Sequence, residues 1–338
     1  MVNDPWRQSA HVTSPPGGNW QRSLVLGAGC LYAAGCASAP VLNYLDTAGP
    51  RCAGSFRTTE PSADDAASFL VASFNVKLGE EPDNALKTLR NGGLDRADVL
   101  LLQEMDLAAT IEIAAGLGFD YVYYPATIHP ASHRQFGVAI LSPWPIRDDH
   151  KIILPDFIDS RDPAAKAAAS AVVWVQGIPI AVINAHLQLG LSAEQIEEQM
   201  QTIVDCAFSE HCDNPQAPLL PPLPYVVVAG DFNTSQDAKM RAADAVLTAA
   251  GLRRVPGIGR TYKYLFFGLG KLDHIYASPA LEVEDSGQVR GFFATGSDHY
   301  PIYARLRLNG DAQPPWQGFE SDDSWATGVP VAATCELR

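Results

Sequence analysis

Between residues 69 and 308 the chain holds a series of short apolar runs, and no other feature narrows its fold as much. They read FLVASFNV (69–76), ADVLLLQEM (97–105), GVAILS (137–142), SAVVWVQG (170–177), IPIAVINAHL (178–187), PYVVVAGDFN (224–233), KLDHIYAS (271–278) and HYPIYARLRL (299–308). Several are β-branched, too short for a buried helix and bounded by Gly, Pro or Asp, which is the pattern of core strands. Two stretches read as hairpins: VAILSPWPI continuing into the 150s, and VVWVQGIPIAVINA turning at Gly177-Ile178. Helical patterns occupy 81–94, 107–118, 192–211 and 235–251. The first begins near Pro82 and ends at Gly92-Gly93, and the third opens with Ser192 three residues before Gln195, a capping-box spacing. Strands interleaved with helices imply an α/β layered fold, with sheet packed on sheet or sheet between helices.

The chain ends lie outside this series. Arg22 precedes SLVLGAGCLYAAG (23–35), a run of signal-peptide length that is too short for an ordinary membrane-spanning helix. It closes on Ala33-Ala34-Gly35-Cys36, which resembles a bacterial lipobox whose Cys36 is lipidated and would tether the protein to a membrane. An uncleaved anchor or a plain secretory signal is the alternative. Residues 1–36 are therefore expected as signal and lipobox, 37–66 as a tether or poorly ordered lead-in, 67–308 as the folded domain and 309–338 as a tail wrapping its surface. Export to the bacterial cell envelope, or secretion, agrees with the cysteines. Four remain if Cys30 leaves with the signal and Cys36 carries lipid: Cys52, Cys206, Cys212 and Cys335. Cys206 with Cys212 would close a short loop and Cys52 with Cys335 would tie the two ends together, both permitted in an oxidising compartment. Unpaired thiols are the other reading.

The polar residues that close the apolar runs carry the chemistry, because strand-end loops present side chains from a rigid frame. In order they are Asn75, Gln103-Glu104, Asn184, His186, Gln188, Asp231, Asn233, Asp273 and Asp298-His299. Each alone has a bland reading: a turn residue, a cap, a satisfied interior histidine. Asn233-Thr234-Ser235 also matches a glycosylation acceptor.

Taken in order, the set resembles the endonuclease/exonuclease/phosphatase superfamily, the metal-dependent phosphoesterases that include DNase I-like nucleases, sphingomyelinases and inositol-polyphosphate phosphatases. The resemblance covers about residues 69–308 and rests on GDFN (230–233) with SDHYP (297–301), supported by Gln103-Glu104 and NAHLQ (184–188). It implies a four-layered α/β/β/α sandwich, two mixed β-sheets face to face with helices outside. It implies Mg²⁺ or Mn²⁺ held by Glu104 with help from Asn75 and Asp298, since such cations take oxygen ligands and one or two carboxylates suffice. It further implies His299 oriented by Asp273, Asp231 positioning or deprotonating the attacking water, Asn233 donating to a phosphate oxygen, and His186 stabilising the phosphoryl charge or protonating the leaving group. Whether Asp231 or His299 is the base stays open. The stretch IHPASHRQFGVAILSPWPI (128–146) resembles one in small bacterial members, where a basic loop precedes a Gly-containing strand. Arg134 is expected at the substrate phosphate with His129 or His133 assisting, a solvated loop being the other reading, and Asn184 and Gln188 are expected to contact substrate. Ser142-Pro143 stands where many relatives place Ser-Arg, and the Trp-Cys-Asp-Arg signature of inositol-polyphosphate phosphatases is absent.

The implied activity is hydrolysis of a phosphoester, acting as a monomer. The formal net charge of −14 disfavours long duplex DNA, whose binders carry a basic stripe, so a small or lipid-derived phosphoester is the expected substrate and a secreted nuclease the runner-up. A non-catalytic envelope binding module would be expected to have lost part of this set, and none is lost.

Overall fold

Alternation of side chains along a strand decides which layer each residue enters, and in this protein almost every core strand is buried on both sides. In the computed structural model, residues 49–58, 68–157, 164–208, 223–264, 267–291, 295–309 and 334–336 are described, all within the unit Val41–Arg338. In chain order they form β1 (Arg51–Ser55), β2 (Ser68–Asn75), α1 (Pro82–Asn91), β3 (Val99–Met105), α2 (Leu107–Leu117), β4 (Asp120–Ile128), β5 (Gln135–Ser142), β6 (Ile146–Ile153), β7 (Ala167–Val175) and β8 (Ile178–His186). There follow α3 (Ala193–Phe208), β9 (Val226–Asp231), α4 (Asp237–Ala249), β10 (Arg253–Arg254), β11 (Tyr262–Tyr264), β12 (Phe267–Gly270), β13 (Asp273–Ala277), β14 (Leu281–Gln288), β15 (Ile302–Leu308) and β16 (Thr334–Glu336).

One sheet runs β14-β15-β2-β3-β5-β4-β1-β16 and the other β10-β13-β9-β8-β7-β6, while β11 and β12 pair as a separate hairpin. Both sheets are mixed. The parallel pairs β2–β3 and β8–β9 are joined by crossovers containing α1 and α3, as parallel pairing requires. Three apolar layers result. Phe69, Val71, Leu101, Val138 and Ile140 of the first sheet meet Val173, Val182, Val227 and Ile275 of the second between the sheets. The alternate residues Leu70, Ala72, Leu100 and Leu102 face Leu89 and Ile113 of α1 and α2. Ala181, Ile183 and Val228 face Met200, Ile203 and Leu247 of α3 and α4. This is the expected four-layered α/β/β/α sandwich.

Local signals explain the elements that were legible. The Ser192–Gln195 capping box forms: the Ser192 amide donates to Gln195 Oε1 at 2.9 Å and the Gln195 amide to Ser192 Oγ at 3.3 Å. Asp106 caps α2 by accepting from the Ala109 amide at 2.8 Å. The β7–β8 hairpin turns at Gln176 (φ 55°) and Gly177 (φ 80°), two successive left-handed residues that match the twist of the flanking strands.

The hairpin expected from 137 into the 150s is not one. β5 pairs with β3 and β4 in the first sheet, whereas β6 pairs with β7 in the second. Pro143-Trp144-Pro145 carries the chain across, since two fixed prolines cannot make the tight primed turn. Trp144 is buried in the inter-sheet layer with its Nε1 donating to Asp98 at 2.7 Å. The tether expected at 37–66 is also corrected in part. Its residues 51–55 form β1, which pairs with β4 and β16. Residues 1–48, and with them the lipobox at Cys36, lie outside the described residues, as does most of the tail 309–338.

A disulfide joins Cys52 to Cys335, directly opposite each other on β1 and β16, and ties the two ends of the chain as expected. Cys206 is disulfide-bonded too, and its expected partner Cys212 lies outside the described residues. Cys335→Ser should lower the stability of the oxidised protein by roughly 2–5 kcal/mol, since the bond closes most of the chain into a loop. Urea unfolding with and without reductant checks this: reductant should destabilise the wild type markedly and the variant much less.

Candidate active site

The inward-facing stripes turn polar at one end of the sandwich. On β2 the stripe Phe69, Val71 continues as Ser73 and Asn75, and on β8 Ile180, Val182 continues as Asn184 and His186. On β9, Val227 and Ala229 lead to Asp231, and on β13, Ala277 and Ile275 lead back to Asp273. A period of two thus aims all these groups into the gap between the sheets. Pairing then sets them side by side: Asp231 is opposite His186 in the parallel pair and opposite Asp273 in the antiparallel one. Gly230 permits this, because at φ 149° a Cβ would lie 1.8 Å from the Ala185 carbonyl oxygen.

Glu104 breaks the alternation. It sits at φ 57° where the β3–β5 register slips between Gln103 and Met105, a bulge that re-aims its side chain. Its carboxylate accepts from Asn75 Nδ2 at 3.0 Å and from the Leu78 amide at 3.1 Å. The same Asn75 Nδ2 donates to Asp231 Oδ2 at 2.9 Å, so one amide joins the two carboxylates. His186 Nε2 lies 3.9 Å from both Glu104 Oε1 and Asp231 Oδ2. His299 completes the set from the loop before β15. Its Nδ1 is 2.8 Å from Asp273 Oδ2 and its Nε2 is 3.8 Å from Asp231 Oδ2.

The charges are buried and unequal. Burial holds the His186 imidazole well below its usual range, and the charges of Lys166 and His299 push the same way, so it is neutral. Burial also opposes charge on His299, but Asp273 and Asp231 outweigh it and its pKa is pushed up to about 10. Asp231 is pushed up to about 7, by burial first and Asp273 second, against the pull of His299. Glu104, Asp231 and Asp273 face one imidazolium, and among the described residues two groups of ligand atoms are compact enough for a metal ion: Glu104, His186, Asp231 and Asp231, Asp273, His299. Clustered carboxylate oxygens with excess negative charge suit a hard divalent cation, and Glu104 offers such an oxygen; Asn75, expected as a helping ligand, instead turns its Nδ2 to the carboxylates and its Oδ1 to the Lys77 amide at 3.0 Å.

Not every expected residue joins the site. Asn184 is fully buried, its Nδ2 donating to the Leu102 and Ala139 carbonyls at 2.8 Å and its Oδ1 accepting from Gln103 at 2.7 Å. It pins one sheet to the other, where it was expected to contact substrate. Gln188 is likewise buried; it accepts from the Phe157 amide and donates to Asp156, and so holds the segment after β6. Arg134 pairs with Asp106, the cap of α2, and donates to the Gly79 carbonyl at 3.3 Å, bracing the turn that carries Leu78. Asn233 is left-handed at φ 51°, not extended; its Nδ2 donates to the Leu187 carbonyl at 2.8 Å and its amide to Asp231 Oδ1 at 2.9 Å. It therefore orients Asp231 through an Asx turn. Asp298 stands outside both compact groups, its field acting on His299 and Lys263.

Other residues enter unannounced. Ser297 Oγ donates to the Asn75 carbonyl at 2.6 Å and accepts the His299 amide at 3.0 Å, fastening the His299 loop to β2. Tyr262 bridges to His299 and packs edge-on to its ring at 5.5 Å. Phe136 lies 5.5 Å from the His186 ring with the Lys166 ammonium 4.2 Å over its face. Ser297 stood in the SDHYP motif without being singled out, and Lys166 is the one charge in the alanine run after Pro163. Asn184→Ala should destabilise the fold by roughly 2–4 kcal/mol, because three buried hydrogen bonds between the sheets are lost together. Urea unfolding beside Michaelis kinetics checks this; unchanged stability with a raised KM would restore a substrate-binding role.

The match to known proteins agrees with this geometry. The model of the "Endonuclease/Exonuclease/phosphatase family" matches residues 72–299. No curated protein sequence matches the chain. Among solved structures, an endonuclease/exonuclease/phosphatase from Beutenbergia cavernae is similar at 19% identity and a TM-score of 0.53, over 72% of each chain. One from Bacteroides vulgatus has the same score at 16% identity, covering 71% of this chain and 99% of its own. The human Nocturnin catalytic domain, with a bound sulfate anion, scores 0.52 at 16% identity, over 73% of this chain and 96% of its own. At such identities these structures share the fold. The family match itself spans well over half of the sequence and contains every residue of the polar cluster, so the chain belongs to the endonuclease/exonuclease/phosphatase family.

Proposed function

We propose that the protein is a divalent-metal-dependent phosphoester hydrolase acting on a small or lipid-derived phosphoester, exported to the bacterial envelope and active as a monomer. The observation that carries the catalytic reading is the buried chain Asp273–His299–Asp231 set against the Asn75–Glu104 pair. A phosphoester hydrolase of the family is the coarser statement that membership itself supports.

Glu104, held by the Asn75 amide, is the residue that would hold Mg²⁺ or Mn²⁺, which when bound supplies a Lewis acid for a phosphoryl oxygen. The remaining roles belong to side chains. Asp231, steered by the Asn75 amide and the Asn233 backbone, orients water and takes its proton. His299, kept protonated by Asp273, donates to a phosphoryl oxygen through Nε2, which lies 3.8 Å from Asp231 Oδ2. The neutral His186 hydrogen-bonds the phosphoryl group beside it. Water oxygen bonds to phosphorus, the ester P–O bond breaks, and the leaving oxygen takes up a proton, so no other reactant is needed. The net charge of −14 is the argument against a secreted nuclease, the competing reading.

Glu104→Gln should abolish divalent-dependent hydrolysis of an aryl phosphodiester, as EDTA should in the wild type; near-normal Mg²⁺-dependent turnover would remove Glu104 from the metal site. In the same assay His299→Ala and Asp273→Asn should each impair turnover, with a combined loss well short of additive because they act as a unit. Plasmid DNA, RNA and lipid phosphodiesters assayed in parallel separate the two substrate readings.

Export is supported by the leader at 22–36 and by the Cys52–Cys335 bond, which an oxidising compartment allows. Cys36→Ser should move the protein from the membrane to the soluble fraction of its host; retention in the membrane would overturn lipidation.

A further inference from the structure

We propose that Thr88 on α1 is a positioning residue for His299, its hydroxyl fixing the loop that carries the imidazole. This rests on the reading above of His299 as the group that donates to the phosphoryl oxygen. Thr88 is fully buried on the face of α1 that also carries Ala85 and Leu89. Packing alone would be served there by an alkyl side chain. A buried hydroxyl is unfavourable unless it is bonded, and Thr is a poorer helix former than Ala or Leu. Here the hydroxyl bonds beyond the helix. Thr88 Oγ1 donates to the Thr295 carbonyl and accepts from the Thr295 amide, both at 2.8 Å, four residues before His299. One side chain thus holds both backbone groups of a single loop residue, which fixes its orientation as well as its distance.

The next residue closes on the same helix. Gly296 is left-handed at φ 80°, and a Cβ there would lie 2.4 Å from the Ala85 amide nitrogen, so the loop rests on the backbone of α1 about one turn before Thr88. Ser297 carries the anchor inward through its bonds to the Asn75 carbonyl and the His299 amide. On its other side the loop is held by residues 261–263: the Lys263 amide donates to the Asp298 carbonyl and the Tyr300 amide to the Thr261 carbonyl, each at 2.8 Å. Thr88 and Gly296 supply the α1 half of this clamp, which seats His299 Nδ1 at 2.8 Å from Asp273 Oδ2. The chain leading into α1 also braces Glu104, whose carboxylate accepts from the Leu78 amide at 3.1 Å. Residues 75–88 therefore hold both the carboxylate that would take the cation and the loop of the imidazole that would donate to phosphate.

The test compares Thr88→Val, which keeps the shape and removes the hydroxyl, Thr88→Ser, which keeps the hydroxyl, and Gly296→Ala, which pushes on the contact from the loop side. With an aryl phosphodiester, kcat should fall about ten- to hundredfold in Thr88→Val and Gly296→Ala while KM stays near the wild type, because a misplaced group costs rate more than binding. Thr88→Ser should retain most of the rate. The urea midpoint of Thr88→Val should stay close to the wild type, since Thr295 is exposed and water can replace both bonds. On a His299→Ala background Thr88→Val should remove nothing further. A second readout needs no turnover: the downfield proton NMR signal of His299 Nδ1–H, identified by its loss in His299→Ala, should weaken in Thr88→Val and return in Thr88→Ser. Should Thr88→Val fail to fold, Gly296→Ala decides alone. Unchanged kcat and an unchanged signal in the variants, or an undiminished further loss on the His299→Ala background, would overturn the role. A wild type without phosphoester turnover, whose His299 signal still responds to Thr88→Val, would keep the positioning and sink the catalytic reading.

Discussion

Face-to-face packing of the two sheets is the constraint on which the rest depends. It forces every second residue of the central strands into one layer, and that layer is apolar for as long as both sheets cover it. Where the cover ends, the same positions become Ser73, Asn75, Gln103, Asn184, His186, Asp231 and Asp273. The site is thus the polar terminus of the core rather than a feature added to its surface. The last polar pair inside the sandwich, Gln103 with Asn184, hydrogen-bonds one sheet to the other and sets the spacing on which the groups beyond it rely.

Such a terminus concentrates charge where solvation is poor. Carboxylates on Asp231 and Asp273, directly opposite in register, would repel each other, and His299 reaches both. The dyad therefore holds a positive imidazole in a buried place, while His186, lacking a bonded carboxylate, stays neutral a few ångströms away. Two histidines of identical chemistry are made different by their partners. The left-handed backbone at Glu104 belongs to the same economy of geometry: a strained bulge is tolerated because it turns a carboxylate from the helix side toward the cluster.

Much of this could be read in the chain. Asn75, Glu104, His186, Asp231, Asp273 and His299 stood out because each ends an apolar run, and the structure gathers all six. Asn184, Gln188 and Asn233 stood out for the same reason and Arg134 for its place in a basic loop, yet each bonds backbone or a neighbouring side chain. A polar residue at a strand end has the same sequence signature whether it faces ligand or its own scaffold. The strand β1 went unseen because it is held by partners from β4 and β16, far off in the chain. The switch of sheets at Pro143-Trp144-Pro145 was hidden for a related reason: a turn and a crossover have similar composition, and only pairing distinguishes them.

By itself the sequence determined the layered α/β fold, the positions of the four helices, the polar ends of the strands and the family they resemble. Period-two and helical patterns are local, and capping and turn residues act within a few positions, so they survive being read as text. Tertiary structure alone decided which polar ends converge, which of the two histidines is charged, and that Tyr262 stands beside His299. Those outcomes depend on register between strands distant in the chain and on burial that removes water from one group but leaves its partner in reach, and neither is written in any short stretch.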